Sequence, residues 1–222
     1  MQKRKPSVFS KAFKFIILLA VGLLLTFSLF SYGIPKSIVF IIIIAFYVAF
    51  SVLWPLYIIY KSKSLGAIDR YVASNYKKPI FSYSYALAHG NKRDIEDALK
   101  RIMNTYKQQD MYDVYGANLA LIQNNATALL GHVKNISGQE YKDYYSAHAS
   151  VMKGQFEIAG EYLSKLHTPW MIHSLKAYAA HNRGDYETFH QEAEQSIESA
   201  VGMQRYVLHH TMRRMENGDF TT

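Results

Sequence analysis

The chain has 222 residues, half of them hydrophobic, no cysteine and a formal net charge of +8. That length holds one modest domain plus attachments, and the missing cysteine excludes a disulfide framework or a thiolate metal site. The charge is confined: residues 1–60 carry six bases and no acid, residues 61–78 carry five bases and one acid, and residues 79–222 are left with 14 bases and 16 acids. A nucleic-acid-binding domain needs a phosphate-neutralising block, and the C-terminal part has none, so no nucleic-acid partner is expected.

Residues 1–14 form a basic tail with Lys3, Arg4, Lys5, Lys11 and Lys14. Two uncharged runs come next, 15–32 and 37–60, separated by the turn "GIPK". About 20 apolar residues cross a typical hydrocarbon core, so the pair is expected to be a two-helix transmembrane hairpin. A cleaved signal peptide fits less well, because no small-x-small site precedes Pro35 and a second apolar run comes at once. Bases flank the pair on its outer sides while the turn carries only Lys36. The positive-inside rule then places both termini in the cytoplasm of a cell with the protein in its inner membrane. Pro55 is expected to kink the second run, and Trp54, Tyr57 and Tyr60 read as an interfacial aromatic belt. Neither run holds an ionisable residue, so the pair reads as an anchor in the lipid bilayer and not as a conduction path.

In residues 61–78, Leu65, Ile68, Val72 and Tyr76 recur at helical spacing with bases around them. This juxtamembrane helix either lies on anionic headgroups or packs its stripe on the first repeat; the packed reading is preferred. From residue 79 onward the chain reads as helices over 79–89, 93–108, 112–123, 126–134, 139–152, 155–166, 169–182, 186–200 and 203–216. The punctuation between them echoes: "KGQFEIA" at Lys153, "RGDYETF" at Arg183 and "NGDF" at Asn217. Gly90, Asn124, Gly154, Gly184 and Gly218 are spaced 34, 30, 30 and 34 apart, a period near 34 as expected of a solenoid of helix pairs. Gly, or Asn as second best, accepts the left-handed conformation that ends a helix. Asp185, and Asp94 in the first unit, are placed to cap the next helix, with Phe156 and Tyr186 packing between the paired helices. No helix comes after "NGDF", so the last unit is a half repeat.

Gly154-Gln155-Phe156 with Ala159, Gly184-Asp185-Tyr186, the small residues Ala147 and Ala177 seven positions before each glycine, and Pro169 together resemble the tetratricopeptide repeat family. The resemblance spans residues 79–222 and is strong over two units. It departs from the family at Phe189, where alanine is usual, in the first unit, which has extra residues between Gly90 and Asp94, and in the second, which lacks the glycine and the aromatic. It implies a tetratricopeptide-like solenoid of α-α hairpins over those residues, so that with the two apolar runs the whole chain is expected to be all-α: a two-helix transmembrane hairpin, then the solenoid. It also implies a concave groove on the first helices, where Tyr83, Tyr85, Tyr141, Tyr144 and Tyr145 fall. The candidate partner-binding residues are Tyr144, His148, His173, Lys176 and Arg213.

Nothing in the sequence points to catalysis. No two of the nine histidines form an H-E-x-x-H pattern, and no nucleophile-elbow, Walker or dinucleotide fingerprint occurs. The expectation is no enzyme, no metal, no cofactor and no small-molecule substrate. The acids of the later helices read as solvated faces, and "NAT" and "NIS" as chance matches to the glycosylation pattern. The sequence therefore reads as a membrane-anchored adaptor whose cytoplasmic repeats bind a protein partner. The alternative is an accessory or regulatory subunit docked on a larger membrane complex through its spans.

Overall fold

A computed structural model describes residues 8–220, with side chains from residue 16; the first seven residues of the basic tail lie outside the described residues. The described chain is helical throughout and divides into two units, residues 1–62 and 63–222.

In the first unit, α1 spans Val8–Ser31 and α2 spans Lys36–Tyr60. The expected pair of spans is not what forms. Lys11 and Lys14 sit inside the first turns of α1, so its apolar part is only Ile16–Ser31. At 1.5 Å per residue that is about 24 Å, short of a hydrocarbon core of about 30 Å. Among the described residues only α2, 25 residues with a mean hydropathy of 2.6 over its most apolar window, is long and apolar enough to cross a bilayer. The two-span hairpin over 15–32 and 37–60 is therefore corrected to one candidate span. The multi-pass localisation falls with it, as does the placement of both termini in the cytoplasm, because the base count compared the outer ends of two spans. Pro55 does not break α2. The helix widens into π hydrogen bonding over Ala49–Leu53, immediately before Trp54 and Pro55, which accommodates the N–H that proline lacks.

The second unit is an array of helices packed on their sequence neighbours: α3 Leu65–Asn75, α4 Pro79–His89, α5 Lys92–Thr105, α6 Gln109–Ile122, α7 Ala126–Val133, α8 Gln139–Met152, α9 Phe156–Leu163, α10 Pro169–Arg183, α11 Tyr186–Ser199 and α12 Gly202–Glu216. The first helices of successive pairs, α4, α6, α8 and α10, begin at Pro79, Gln109, Gln139 and Pro169, a strict period of 30 and not the expected period near 34.

Local chemistry repeats at the same period. Asn124, Gly154 and Gly184 adopt φ of 52°, 71° and 74°. Each places the next residue's N–H on a carbonyl five residues back: Asn125 on Ala120, Gln155 on Ser150, Asp185 on Ala180. These are Schellman closures, which satisfy carbonyls orphaned at a helix end. Gly218, at φ 71°, repeats the motif after α12 with Asp219 bonding Arg214 O. Asn125 and Asp185 then cap α7 and α11 by accepting from Ala128 N and Thr188 N. Ala117, Ala147 and Ala177, also 30 apart, are all fully buried, where only a small side chain lets neighbouring helices approach.

A further tie joins successive pairs. The Asp110 carboxylate, at the start of α6, accepts from Ser137 N at 2.7 Å and from its hydroxyl. The equivalent Glu140, at the start of α8, accepts from His167 N and Thr168 N, each at 2.7 Å, and from Thr168 Oγ1 at 2.9 Å. An acid in one first turn thus caps the entry to the next first helix. Hydrogen bonds from Ser137 hold the Asp110 carboxyl below its usual range, and those from the His167 and Thr168 amides do the same for Glu140.

Three sequence expectations change. Gly90 is not left-handed; its φ is −95°, and a Cβ there would lie 2.8 Å from Ala86 O and from Asp94 Cβ. The cap of α5 is Asn91, not Asp94 alone: Asn91 accepts from Asp94 N while Asp94 accepts from Asn91 N, a reciprocal capping box. Tyr186 contributes only at the margin: its ring meets His181 of α10 edge-on, at 6.0 Å between centroids. It is exposed, and Phe189, one turn on and fully buried, fills the α10–α11–α12 core with Ala177 and Met212.

The array also does not run on as an open rod. Its last helix, α12, packs on its first two, α3 and α4. Tyr206, fully buried, donates its hydroxyl to Asp69 Oδ1 at 2.7 Å. Arg214 donates to Leu87 O, Gly90 O and Ala86 O at the end of α4, so a cation more than 120 residues away caps that helix's carbonyls. Val207 and Phe220 complete an apolar cluster with Tyr83, Leu87 and Leu99. On α3, Ile68 and Val72 are fully buried; its stripe packs on the repeat unit.

Candidate partner groove

Packing of neighbouring helices puts much of the expected concave face indoors. Residues Asp143 to Val151 of α8 are all buried. Tyr83, Tyr144 and Tyr145 are interior, and burial pushes the Tyr144 hydroxyl up to about 12. Tyr144 meets Ser174 Oγ at 3.0 Å. His148 is 6% exposed and lies between the rings of Tyr144 and Tyr178, at 4.6 and 4.7 Å between centroids. Among the described residues neither ring nitrogen has a hydrogen-bond partner, and burial pulls its pKa down to about 3, so it is neutral. His173 and Lys176, on α10, converge on one carboxylate of α11: His173 Nδ1 lies 2.7 Å from Glu192 Oε2 and Lys176 Nζ 3.8 Å from Glu192 Oε1. Arg213 is apart from all four.

Arg213 lies on the rim of an open groove of about 370 Å³ between α11 and α12. Its floor is apolar: Phe189 and Ala193 from α11 and Met212 from α12 are buried core residues. Its walls carry opposite charge. On α12, Arg205, His209 and Arg213 stand at four-residue steps, one column on a helix face. On α11, Glu194 and Glu198 stand at the same step. Among the described residues no ion pair joins these two acids to Arg205 or Arg213; the pair at this end is His190 with Glu216, at 3.8 Å. Arg205 is held instead by the Ile197 carbonyl, at 2.5 Å from Nη1. Burial, then the charges of Arg213 and Arg205, lower the His209 pKa, which favours its neutral form between two permanent cations. The groove thus offers an apolar strip bordered by a cationic and an anionic edge.

Of the residues named from sequence Arg213 borders this groove, which lies between α11 and α12 and not along the first helices; Arg205, Glu194 and Glu198 were not named. The spacing 205–209–213 was visible, but which helix faced it was not. Among the described residues no group of three or more His, Cys, Asp or Glu is placed to hold a metal.

The fold and groove define a class: an all-α helical-repeat protein with one candidate membrane-spanning helix, an architecture consistent with a scaffold for protein contacts. No family model matches the chain, and no curated protein or solved structure matches it either. The resemblance to the tetratricopeptide family, read from glycine and aromatic punctuation, is therefore corrected to a helical repeat of period 30 without that family's name. The shared glycine turns reflect helix-ending physics, which any helix-pair array obeys.

Proposed function

We propose that the protein is a membrane-associated scaffold. Its α2 helix lies in a bilayer, and its repeat unit binds a segment of another protein along the α11–α12 groove. The observation that carries this reading is the groove itself, with a cationic column facing acids that do not pair with it across an apolar floor. Charge complementarity selects the occupant: an amphipathic segment with acids toward Arg205 and Arg213, bases toward Glu194 and Glu198, and apolar side chains on the floor. The chemistry is recognition, with no catalytic step.

Photo-crosslinking in intact membranes tests this, with the crosslinker at Arg213 or Glu194 and, as a control, at exposed Glu157 on α9. One partner band is expected from the groove positions and not from Glu157, and Arg213→Glu should abolish it at the Glu194 position. Crosslinks of equal yield from all three positions, or none from the groove, would overturn the proposal.

A further inference from the structure

The basic residues around α3 contribute nothing to the apolar core. Ile68 and Val72 are buried against the repeat unit, so α3 has no apolar face left to insert into lipid. At 100° per residue Arg70 falls 160–200° from both, on the opposite side of the helix. Lys63 precedes α3, Lys77 and Lys78 come after it, and all four are exposed. A fifth exposed cation joins them from α5: Arg101 donates Nη2 to Lys77 O at 3.0 Å. No ion pair among the described residues uses any of the five. The nearby Asp69 is already occupied by Tyr206 and His89. The cations are not part of a general basicity, since residues 79–222 carry more acids than bases. Lys63 comes three residues after the end of α2.

We infer that Lys63, Arg70, Lys77, Lys78 and Arg101 form a docking surface for anionic phospholipid headgroups, held at the bilayer by charge alone. Each basic residue near an anionic surface favours contact by roughly fivefold. Because nothing is inserted, contact is screened by salt within a Debye length of about 10 Å at 0.1 M. The surface would orient the repeat unit, and so the groove, against the membrane. This inference rests on the membrane association proposed above.

The absence of cysteine makes the test direct. Full-length protein carrying Asn104→Cys, an exposed site one turn beyond Arg101, is labelled with a donor dye and reconstituted into vesicles containing an acceptor-labelled lipid headgroup. The vesicles are phosphatidylcholine, alone or with about 30 mol% phosphatidylglycerol. Energy transfer is expected to rise about twofold with the anionic lipid and to return to the neutral-vesicle level in about 0.5 M NaCl. The same label on Glu157→Cys should not respond. Lys63→Gln, Arg70→Gln, Lys77→Gln and Lys78→Gln together should remove the rise, and the salt arm on the unmodified surface tests the claim should that variant misfold. Equal transfer in both vesicles, with the protein retained in both, overturns the docking surface and leaves the scaffold reading standing. Protein that leaves neutral vesicles on alkaline wash but floats with anionic ones at low salt overturns the α2 anchor and supports the surface. Flotation with neither overturns both.

Discussion

The middle of the repeat unit and its closing seam are built by different means. From Gln109 to Gly184 the first helix of each pair ends on a left-handed Asn or Gly, and Asp110 and Glu140 each tie their helix to the entry of the next first helix, 27 or 28 residues on. Every such tie is local and recurs with the period. The seam joins α3 and α4 to α12 by Tyr206 on Asp69 and Arg214 on Leu87 and Gly90, bonds that span 124 to 137 residues. The middle is a code that each unit repeats. The seam is a single event, closing a loop whose entropy must be offset by a few strong contacts.

The largest expected effect breaks the seam. Arg214→Ala removes the side-chain donor from the Leu87 and Gly90 carbonyls at the end of α4, while Ala86 O keeps Gly90 N, and should destabilise the protein by roughly 2–4 kcal/mol. Urea unfolding measures this, and hydrogen exchange should show loss of protection first in α3, α4 and α12. Equal loss in α7 and α9 would mean that seam and middle are one cooperative block. Next comes the middle: Gly184→Ala forces a Cβ into φ 74° and should cost about 1–2 kcal/mol. Asn124→Gly, at φ 52°, relieves the same strain and should be neutral or stabilising within about 1 kcal/mol. A loss at Asn124→Gly would show that its side chain, not its backbone, is what the turn needs. Third, Tyr206→Phe removes one hydrogen bond of the seam and should cost about 1 kcal/mol by thermal unfolding, well below Arg214→Ala.

The smallest effect is a slope. The Asp110 and Glu140 carboxyls are held down in the folded protein by the amides and hydroxyls they accept from. A depressed carboxyl contributes stability above its unfolded pKa, and that contribution is lost as pH falls through the folded one. Stability should therefore fall as pH drops below about 4. Asp110→Asn with Glu140→Gln should flatten that acid limb while leaving the seam bonds intact. An unchanged acid limb would place the acid sensitivity elsewhere.

Much of the middle was legible. The helices over 79–89 and 139–152 form within the expected bounds, and the others start or stop within one to three residues of them. They were readable because Asn124, Gly154 and Gly184 punctuate a 3.6-residue apolar pattern. The first apolar run misled for a physical reason: absence of charge over 15–32 is not span length when Lys11 and Lys14 sit in the same helix. The groove was half legible. The column of Arg205, His209 and Arg213 is a matter of spacing, whereas the facing Glu194 and Glu198 depend on how α11 lies against α12.

By itself the sequence determined an all-α chain of repeating helix pairs and the left-handed turns at Asn124, Gly154 and Gly184, because capping, left-handed glycine and apolar periodicity act over a few residues. Only the tertiary structure decided that α12 returns to α3 and α4, that Tyr144 and His148 are interior while Arg213 borders a groove, and that Arg101 joins the basic face of α3. Those outcomes rest on contacts between residues tens to more than a hundred positions apart, which no short-range pattern encodes.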